Sequence, residues 1–418
     1  MKQFLVPLLI AAGASAQTAS PPVNYDEAKV APFTLPELGL TTRGAWSETR
    51  RPELLRLFAE NVFGKTPTNL GKTQFTEITT KPNALDGIAT RRLVHIALPD
   101  HPRWEGLDVM LYVPNQRTGP VPCFVGLSFG GNHAVSTEPD VPLSQRWMDD
   151  LEGTFIVDFR ATEKSRGTES RRWPIKRILA NGFALATAYY GDIEPDCPDG
   201  SQHGLRAIAS PNGTETAWHD DDWGAIAVWA FGMCCIADYL ETDPAIDARR
   251  LAGIGHSRLA KAALWAGAQD ERFALVVAND AGEGGASLMR RDYGQTTATI
   301  TAEFPHWFAK RYESFAGRPE ACPVDQHMLL ALIAPRLLYV ASATLDRWAD
   351  PKGEFLAVRA AGPAWELFGE RGVLVDEQPP PETPVGDCVG YHLRTGKHDL
   401  TEYDWLRFLE FARRHWPE

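Results

Sequence analysis

The sequence has few cysteines, little positive charge relative to negative charge, and no long apolar run. The 418 residues include 42 Lys and Arg against 54 Asp and Glu, which gives a formal net charge of −12. Phosphate binding needs clustered Lys and Arg, so we expect no nucleic-acid partner. The six cysteines form no CxxC pair or other metal-ligand spacing. No segment reaches the roughly 20 apolar residues of a membrane-spanning helix, so we expect no membrane span.

The amino terminus has the three parts of an export signal. Lys2 supplies a positive charge, residues 4–12 are apolar, and Ala14 and Ala16 fit a small-x-small cleavage site. We therefore predict a signal peptide over residues 1–16, cleaved after Ala16. The protein is then expected to be secreted or periplasmic.

Export into an oxidising compartment permits disulfide bonds. The cysteines are irregularly spaced, and Cys322 with Cys388 is one candidate pair. Cys123 lies in an apolar, strand-like run and is expected to be a buried thiol.

The chain beyond the signal alternates between strand-like and helix-like patterns. Residues 17–45 are Pro-rich and aperiodic, which indicates an extended lead-in. The predicted strands, which are short apolar runs, cover 92–98, 107–113, 121–127, 183–189, 251–255, 273–278 and 337–342. The predicted helices, which have apolar residues at helical spacing, cover 50–63, 224–240, 257–268 and 400–415.

This alternation predicts an α/β fold with a mostly parallel sheet covered by helices on both faces, as a three-layer sandwich. The strands are apolar throughout rather than alternating, as a doubly covered sheet requires. No linker divides the chain, so we predict one domain over residues 46–418 with loop insertions.

Residues 252–268 contain the strongest signal for catalysis. An apolar strand ends at Gly255, which permits a sharp turn, and a helix begins just after Ser257. The helix N-terminus offers free backbone N–H groups and a positive dipole to a developing oxyanion. This is the nucleophile elbow of the α/β-hydrolase fold. The G-x-S-x-G pattern is not met, because Leu259 holds the last position and the small residue follows at Ala260. A helix N-cap role for the serine is the alternative.

The sequence over 255–291, GHSRLAKAALWAGAQDERFALVVANDAGEGGASLMRR, resembles the glucuronoyl esterases of carbohydrate esterase family 15. Their serine motif, G-x-S-R-x-G-K, is matched by Gly255, Ser257, Arg258 and Lys261, with Ala260 in place of its second glycine. Other segments resemble the bacterial branch of the family, in the same order along the chain: 171–196, 221–232, 324–343, 346–355 and 396–405.

The resemblance implies an α/β-hydrolase that acts on esters of glucuronic or 4-O-methylglucuronic acid. Such esters join glucuronoxylan to lignin alcohols in plant cell walls. We therefore expect glucuronoxylan or lignin–carbohydrate esters as partners, and a monomeric protein.

The resemblance points to His398 as the catalytic base. It lies late in the chain, after the last predicted strand, which fits the order Ser, acid, His of this fold. His256 adjoins the serine and is expected to be structural; fungal relatives place a cysteine there, so their disulfide is absent. His392 is the nearest rival to His398 as the base; if it is not the base, we expect it to lie in a surface loop. His219 precedes the serine in the chain and so does not fit this order. His306 and His327 could lie in the core or contact the substrate.

Two carboxylates compete for the role of triad acid. Asp346 follows the 337–342 strand, which is the usual position in this fold, and Asp280 follows the 273–278 strand. Proteins that resemble this one use either position. We favour Asp346 and keep Asp280 as the alternative acid, while Glu283 is interpreted as a loop charge.

The resemblance also assigns residues that bind the substrate. Arg258 is expected to stabilise the oxyanion, because a guanidinium keeps its charge and donates several hydrogen bonds. Lys261, one helical turn later, is expected to contact sugar hydroxyls. Trp348 is expected to line the uronate pocket, with a core position as the alternative. Gln295 stands where relatives usually have Glu and still offers hydrogen bonds to hydroxyls.

We expect no cofactor and no metal, because no HExxH motif or Cys/His cluster is present. Two other functions fit the same scaffold: another carbohydrate esterase, such as an acetyl xylan esterase, and a noncatalytic carbohydrate-binding protein. A peptidase would use the same triad chemistry on a different substrate.

Overall fold

A computed structural model describes residues 23–150, 153–209, 219–373 and 375–417. The predicted signal peptide, with its cleavage after Ala16, lies outside the described residues. The strands of the described residues are β1 (Gln74–Ala84), β2 (Ala89–Ala97), β3 (Leu107–Pro114), β4 (Val121–Ser128), β5 (Ala184–Tyr189), β6 (Ile246–His256), β7 (Phe273–Asn279), β8 (Leu337–Ala343), β9 (Val385–Gly386) and β10 (Val389–Arg394).

These strands form one sheet in the order β1-β2-β3-β5-β4-β6-β7-β8-β10-β9. The six strands from β5 to β10 in that order run parallel, while β1, β2 and β3 at one edge and β9 at the other pair antiparallel. The central strands β4, β5 and β8 are buried along their whole length. The sheet is therefore mostly parallel, as the sequence predicts.

Helices cover both faces of this sheet. The α-helices of the described residues are α1 (Arg43–Ala45), α2 (Arg51–Phe58), α3 (Asn132–Val135), α4 (Ile175–Ala180), α5 (Tyr190–Ile193), α6 (Leu205–Ala209), α7 (Ala225–Leu240), α8 (Arg258–Gln269), α9 (Thr297–Glu303), α10 (Lys310–Glu313), α11 (Gln326–Ala331), α12 (Pro351–Ala361), α13 (Pro363–Glu366) and α14 (Glu402–His415).

Side-chain contacts show which face of the sheet is covered by α14 and which by α8. Tyr339 of β8 packs against Phe408 and Phe411 of α14. Its cross-strand partner is Val277, so the next residue along β7, Val276, points to the opposite face. Val276 lies against Gly267 of α8. Helices α14 and α8 therefore cover opposite faces, and the three-layer α/β-hydrolase architecture is confirmed.

The seven predicted strands and four predicted helices are all present, with ends shifted by a few residues. The longest correction is at β6, which begins at Ile246 rather than at residue 251. Strands β1, β9 and β10 are additional to the predictions. The sequence of β1 is mostly exposed and contains charged residues and a proline, which an edge strand tolerates because one side of it faces water.

His392 lies in β10 and is fully buried, so its interpretation as a surface-loop residue is wrong. Glycine and histidine within β10 weaken the apolar pattern by which a buried strand is recognised. The pairing of β10 with β8 and β9 shows that this segment is part of the sheet.

All six cysteines are free thiols, so the candidate pair Cys322 and Cys388 forms no disulfide. Cys123 is buried in β4, as predicted. In the part of the chain that the structure describes, no helix has both the length and the apolarity to cross a bilayer.

Candidate active site

Ser257 occupies a sharp turn between β6 and α8. Its backbone adopts φ 58° and ψ −130°, and its N–H donates to the Asn279 carbonyl at 2.9 Å. A non-glycine residue with positive φ stores roughly 1–3 kcal/mol of strain, which the surrounding structure must hold. At Gly255 a Cβ would overlap the Leu259 carbonyl, so only glycine permits α8 to start so close to the strand. This is the predicted elbow: a strained serine at the carboxyl edge of the sheet.

Arg258 is held beside the serine by a buried carboxylate. Its guanidinium pairs with Asp196, which also accepts hydrogen bonds from His306 Nε2 at 2.8 Å and Trp307 Nε1 at 2.7 Å. Burial alone would raise the pKa of Asp196, but these donors and the Arg258 charge lower it to about 2. Burial alone would lower the pKa of Arg258, but the neighbouring Asp196 carboxylate raises the pKa of Arg258 above its usual value.

Aromatic rings also contact this guanidinium. The Arg258 carbon Cζ lies 4.7 Å from the ring centroid of Trp307 and 5.6 Å from those of Phe129 and Phe304. Each such contact adds cation–π attraction and removes water. The Arg258 side chain is therefore fixed, and one of its nitrogens, Nε, is buried without a hydrogen-bond partner.

His398 approaches the elbow from the loop after β10. Its ring centroid lies 4.5 Å from that of His256, the residue before the serine. Its Nδ1 is bonded to Asp346 Oδ2 at 2.6 Å, while Asp280 Oδ2 is 4.0 Å away. The imidazole is exposed but Asp346 is buried. A buried carboxylate on Nδ1 fixes the ring so that Nε2 is the atom available for proton transfer.

Asp280 is buried like Asp346 but has different hydrogen-bond partners. It follows β7 with φ 48°, accepts from the Asp399 N–H at 3.1 Å, and leaves Oδ1 buried without a partner. Burial, together with the charges of Asp346 and Glu354, raises the pKa of Asp280 well above its usual value. The raised pKa favours the protonated form of Asp280.

Four other histidines have structural partners. His256 Nδ1 is 2.7 Å from Asn279 Oδ1, and burial lowers its pKa well below the usual value. His392 lies 2.9 Å from Asp404, and His327 lies 3.0 Å from the Pro36 carbonyl. His306 holds Asp196, as described above, and so serves Arg258 indirectly.

Lys261 projects from α8 one turn after Arg258 and is almost completely buried. Its Nζ donates to the Ala281 carbonyl. Burial lowers the pKa of Lys261 to about 8, against the opposing charges of Glu283 and Glu354. At pH 7 the amine is therefore charged, and it loses that charge only slightly above neutrality.

Two further buried acids surround Lys261. Glu283 accepts from Thr297 Oγ1 at 2.6 Å and from Tyr312 at 2.7 Å, so its interpretation as a loop charge is wrong. Burial raises the pKa of Glu283 to about 7 and that of Glu354 to about 8. Sequence reasoning missed Glu354, because a glutamate in the amphipathic pattern of α12 resembles a solvated residue.

Gln295 and Trp348 lie on two loops that touch each other. The Gln295 N–H donates to the Trp348 carbonyl at 2.8 Å. Gln295 is buried and Trp348 is half-buried, so the tryptophan is not a core residue. Gly294 has φ 64° and approaches the Arg347 and Trp348 carbonyls so closely that a Cβ would overlap them.

Two groups of side chains in the described residues have metal-ligand character. One is Asp280, Asp346 and His398, and the other, near α14, is Asp387, Cys388 and His415. In the first, the bond between His398 and Asp346 already joins two of the donors. In the second, the Cys388 thiol donates to Glu370 at 3.2 Å. In each group, at least one of the possible ligands therefore already has a hydrogen-bond partner in the protein.

Comparison with known proteins places the chain in a family. The profile of the family "Glucuronyl esterase, fungi" matches residues 216–369. The chain is 40% identical to carbohydrate esterase MZ0003 from an unknown prokaryotic organism, over 94% of the chain and 92% of that protein. A solved glucuronoyl esterase from Solibacter usitatus matches with 47% identity and a TM-score of 0.88, over 94% of this chain and 100% of that one. A CE15 glucuronoyl esterase from Teredinibacter turnerae T7901 matches with 30% identity and a TM-score of 0.79, over 96% and 95%. The chain belongs to carbohydrate esterase family 15, the glucuronoyl esterases.

Proposed function

We propose that the protein hydrolyses esters formed on the carboxyl group of glucuronic or 4-O-methylglucuronic acid. The observation that supports the proposal is that two pairs of residues lie at the same edge of the sheet. The first is the strained Ser257 with Arg258 beside it, and the second is the bonded pair His398 and Asp346. The family relationship supports the uronate as the acyl group.

The chemistry follows from these positions. His398 Nε2 removes the proton of Ser257 as its Oγ attacks the ester carbonyl. The Arg258 guanidinium and the free N–H groups at the start of α8 donate to the oxyanion. His398 then protonates the departing alcohol, and a water molecule, activated by the same imidazole, cleaves the acyl-enzyme.

Asp346 is proposed as the triad acid and Asp280 as a neutral neighbour. The distance of 2.6 Å to His398 Nδ1, against 4.0 Å for Asp280, supports this choice. So does the raised pKa of Asp280, because a protonated acid cannot stabilise an imidazolium by its charge.

Lys261, Gln295 and Trp348 are proposed to bind the sugar, and we call them the sugar-binding side of the site. A buried ammonium and a buried amide both form strong hydrogen bonds with hydroxyls, and the half-buried indole offers an apolar face. The natural substrates proposed are glucuronoxylan and lignin–carbohydrate esters, cleaved by an exported, monomeric enzyme. Amino-terminal sequencing of the exported protein should then begin at Gln17.

The first test compares the mature protein with Ser257→Ala on benzyl glucuronate. We expect acid release by the mature protein and none above background from the variant. Acetylated xylan serves as the second substrate. Deacetylation of xylan without turnover of the uronate ester would reassign the protein to another esterase class, and binding without turnover of either would leave a noncatalytic role.

A second test separates the two acids. Asp346→Asn removes the carboxylate bonded to the imidazole and should lower kcat by about 10,000-fold, as in other triads. Asp280→Asn keeps an acceptor for the Asp399 N–H and should lower kcat by less than about tenfold. The opposite ranking would transfer the acid role to Asp280.

A further inference from the structure

Residues 23–30 contact both loops of the sugar-binding side, although the sequence indicates only an extended lead-in here. The Asn24 carbonyl accepts from the Gly294 N–H at 2.8 Å, and the Asn24 side-chain amide donates to the Asp292 carbonyl at 2.7 Å. This pair of bonds fixes the backbone immediately before Gln295.

Tyr25 holds the second loop. Its carbonyl accepts from the guanidinium of Arg347, which also lies 4.8 Å from the centroid of the Tyr25 ring. Arg347 Nε donates to the Tyr293 hydroxyl at 3.1 Å, and the two tyrosine rings meet edge to face at 6.2 Å. The residue before Trp348 is therefore clamped between Tyr25 and the loop of Gln295.

Glu27 extends the same connection through a buried cation. Its carboxylate pairs with Arg291 and lies 3.1 Å from Lys352 Nζ. Arg291 is 4% exposed and donates to Asp350, which is 1% exposed, at 2.8 Å. One guanidinium thus joins the amino-terminal segment, the start of the Gln295 loop and the end of the Trp348 loop.

Together, these contacts restrict the distance between Gln295 and Trp348. The two loops share a single backbone hydrogen bond there, at 2.8 Å, next to the close approach of Gly294. A segment bonded to both loops resists their separation, because every bond that it makes would have to break or rearrange.

We propose that Asn24, Tyr25 and Glu27 are positioning residues that fix the Gln295 loop against the Trp348 loop and so set the affinity for the uronate ester. The inference rests on the proposed function, since it assumes that these two loops bind the sugar. The bonds of the segment go to the loops, so the expected effect is on KM rather than on kcat.

The test uses the mature, full-length chain with Tyr25→Ala and Glu27→Gln. We expect KM for benzyl glucuronate to rise about three- to tenfold in each, as loss of one cation–π or charged contact predicts, with kcat within about twofold. Hydrolysis of p-nitrophenyl acetate, which has no sugar to bind, should be unchanged. Lys29→Ala is the matched control, because Lys29 is exposed and pairs with Asp26 on its own segment.

Tyr25→Phe sharpens the test, because it keeps the ring under Arg347 and removes only the hydroxyl. It should retain the KM of the unmodified protein. An effect of Phe as large as that of Ala would overturn the positioning role in favour of a direct hydroxyl contact. Equal losses on both substrates would overturn it in favour of general destabilisation.

Two remaining outcomes are distinguishable. An unchanged KM in both Tyr25→Ala and Glu27→Gln, in a protein that hydrolyses benzyl glucuronate, overturns this inference and leaves the proposed function standing. Hydrolysis of p-nitrophenyl acetate without any turnover of benzyl glucuronate by the unmodified protein removes the proposed function, and the inference with it.

Discussion

Two cations lie one helical turn apart on α8, and their surroundings shift their pKa values in opposite directions. Arg258 faces a buried carboxylate and three aromatic rings, and its pKa is raised. Lys261 donates to a backbone carbonyl, and burial lowers its pKa to about 8. The same helix therefore carries one permanent charge and one charge that disappears slightly above neutral pH.

The difference matches the two tasks proposed for the site. An oxyanion develops a full negative charge during the reaction, and a fixed, permanent cation stabilises that charge without reorganisation. Sugar hydroxyls are neutral, so a donor that binds them does not need a permanent charge. The contrast predicts that changes at Arg258 alter kcat and changes at Lys261 alter KM.

Arg258→Met should have the largest effect, because it removes a preorganised donor from the oxyanion. We expect kcat for benzyl glucuronate to fall about 100- to 1,000-fold, with KM changed by less than about threefold. Steady-state kinetics provide the measurement. Arg249→Met, at an exposed arginine of β6, is the control and should match the unmodified protein. A loss expressed in KM alone would contradict the comparison.

Asp196→Asn should have the next largest effect, because it removes the buried carboxylate that holds the half-buried Arg258. We expect kcat to fall about tenfold and the free energy of unfolding to fall by about 1–3 kcal/mol, as for loss of one partner in a partly buried polar contact. The measurements are kinetics and urea unfolding, with the exposed Asp199→Asn as control. In an Arg258→Met background the change should cost little further activity; an additive loss would show that Asp196 acts independently of Arg258.

The Lys261 side should be sensitive to pH. The ammonium is present below pH 8 and is lost above it, because the folded-state pKa is about 8 rather than 10.5. We expect KM for the uronate ester to rise about three- to tenfold between pH 7 and pH 9. Glu283 and Glu354, with raised pKa values of about 7 and 8, ionise over the same range and face the same amine.

The Lys261→Met variant tests whether Lys261 causes this rise in KM with pH. The variant should show a higher KM at pH 7 and a flatter KM between pH 7 and pH 9. A variant whose KM still rises as steeply would attribute the effect to Glu283 or Glu354 instead.

Gln295→Glu should have the smallest effect. A carboxylate accepts stronger hydrogen bonds from hydroxyls than an amide does, so KM for the ester should fall about two- to threefold. The released uronic acid is an anion and should inhibit the variant less than the unmodified protein. Product-inhibition kinetics measure both effects, and tighter inhibition by the acid would contradict a position beside the sugar.

The parts of this molecule that sequence reasoning predicted are those with a local signature. The β6–α8 junction is local, since an apolar strand, Gly255, Ser257 and a helix follow each other directly. The strand β10 and the burial of Glu283 have no such signature, because both depend on partners distant in sequence.

The partners of Arg258 illustrate the same limit. Asp196 lies in a polar loop 62 residues before the arginine that it holds, and His306 lies in a loop far beyond it. Nothing in the surrounding residues distinguishes Asp196 from its acidic neighbours. Its burial is visible only once the loop is packed against α8.

The position of His398 along the chain has a consequence for biosynthesis. The strand β10 inserts between β8 and β9, and the loop that follows it carries the imidazole. Under the proposed mechanism, the chain is therefore synthesised through the serine turn before the proposed base follows. We expect fragments that stop between α8 and β10 to have no esterase activity, because they contain Ser257 but lack the proposed base, so interrupted synthesis should yield inactive products.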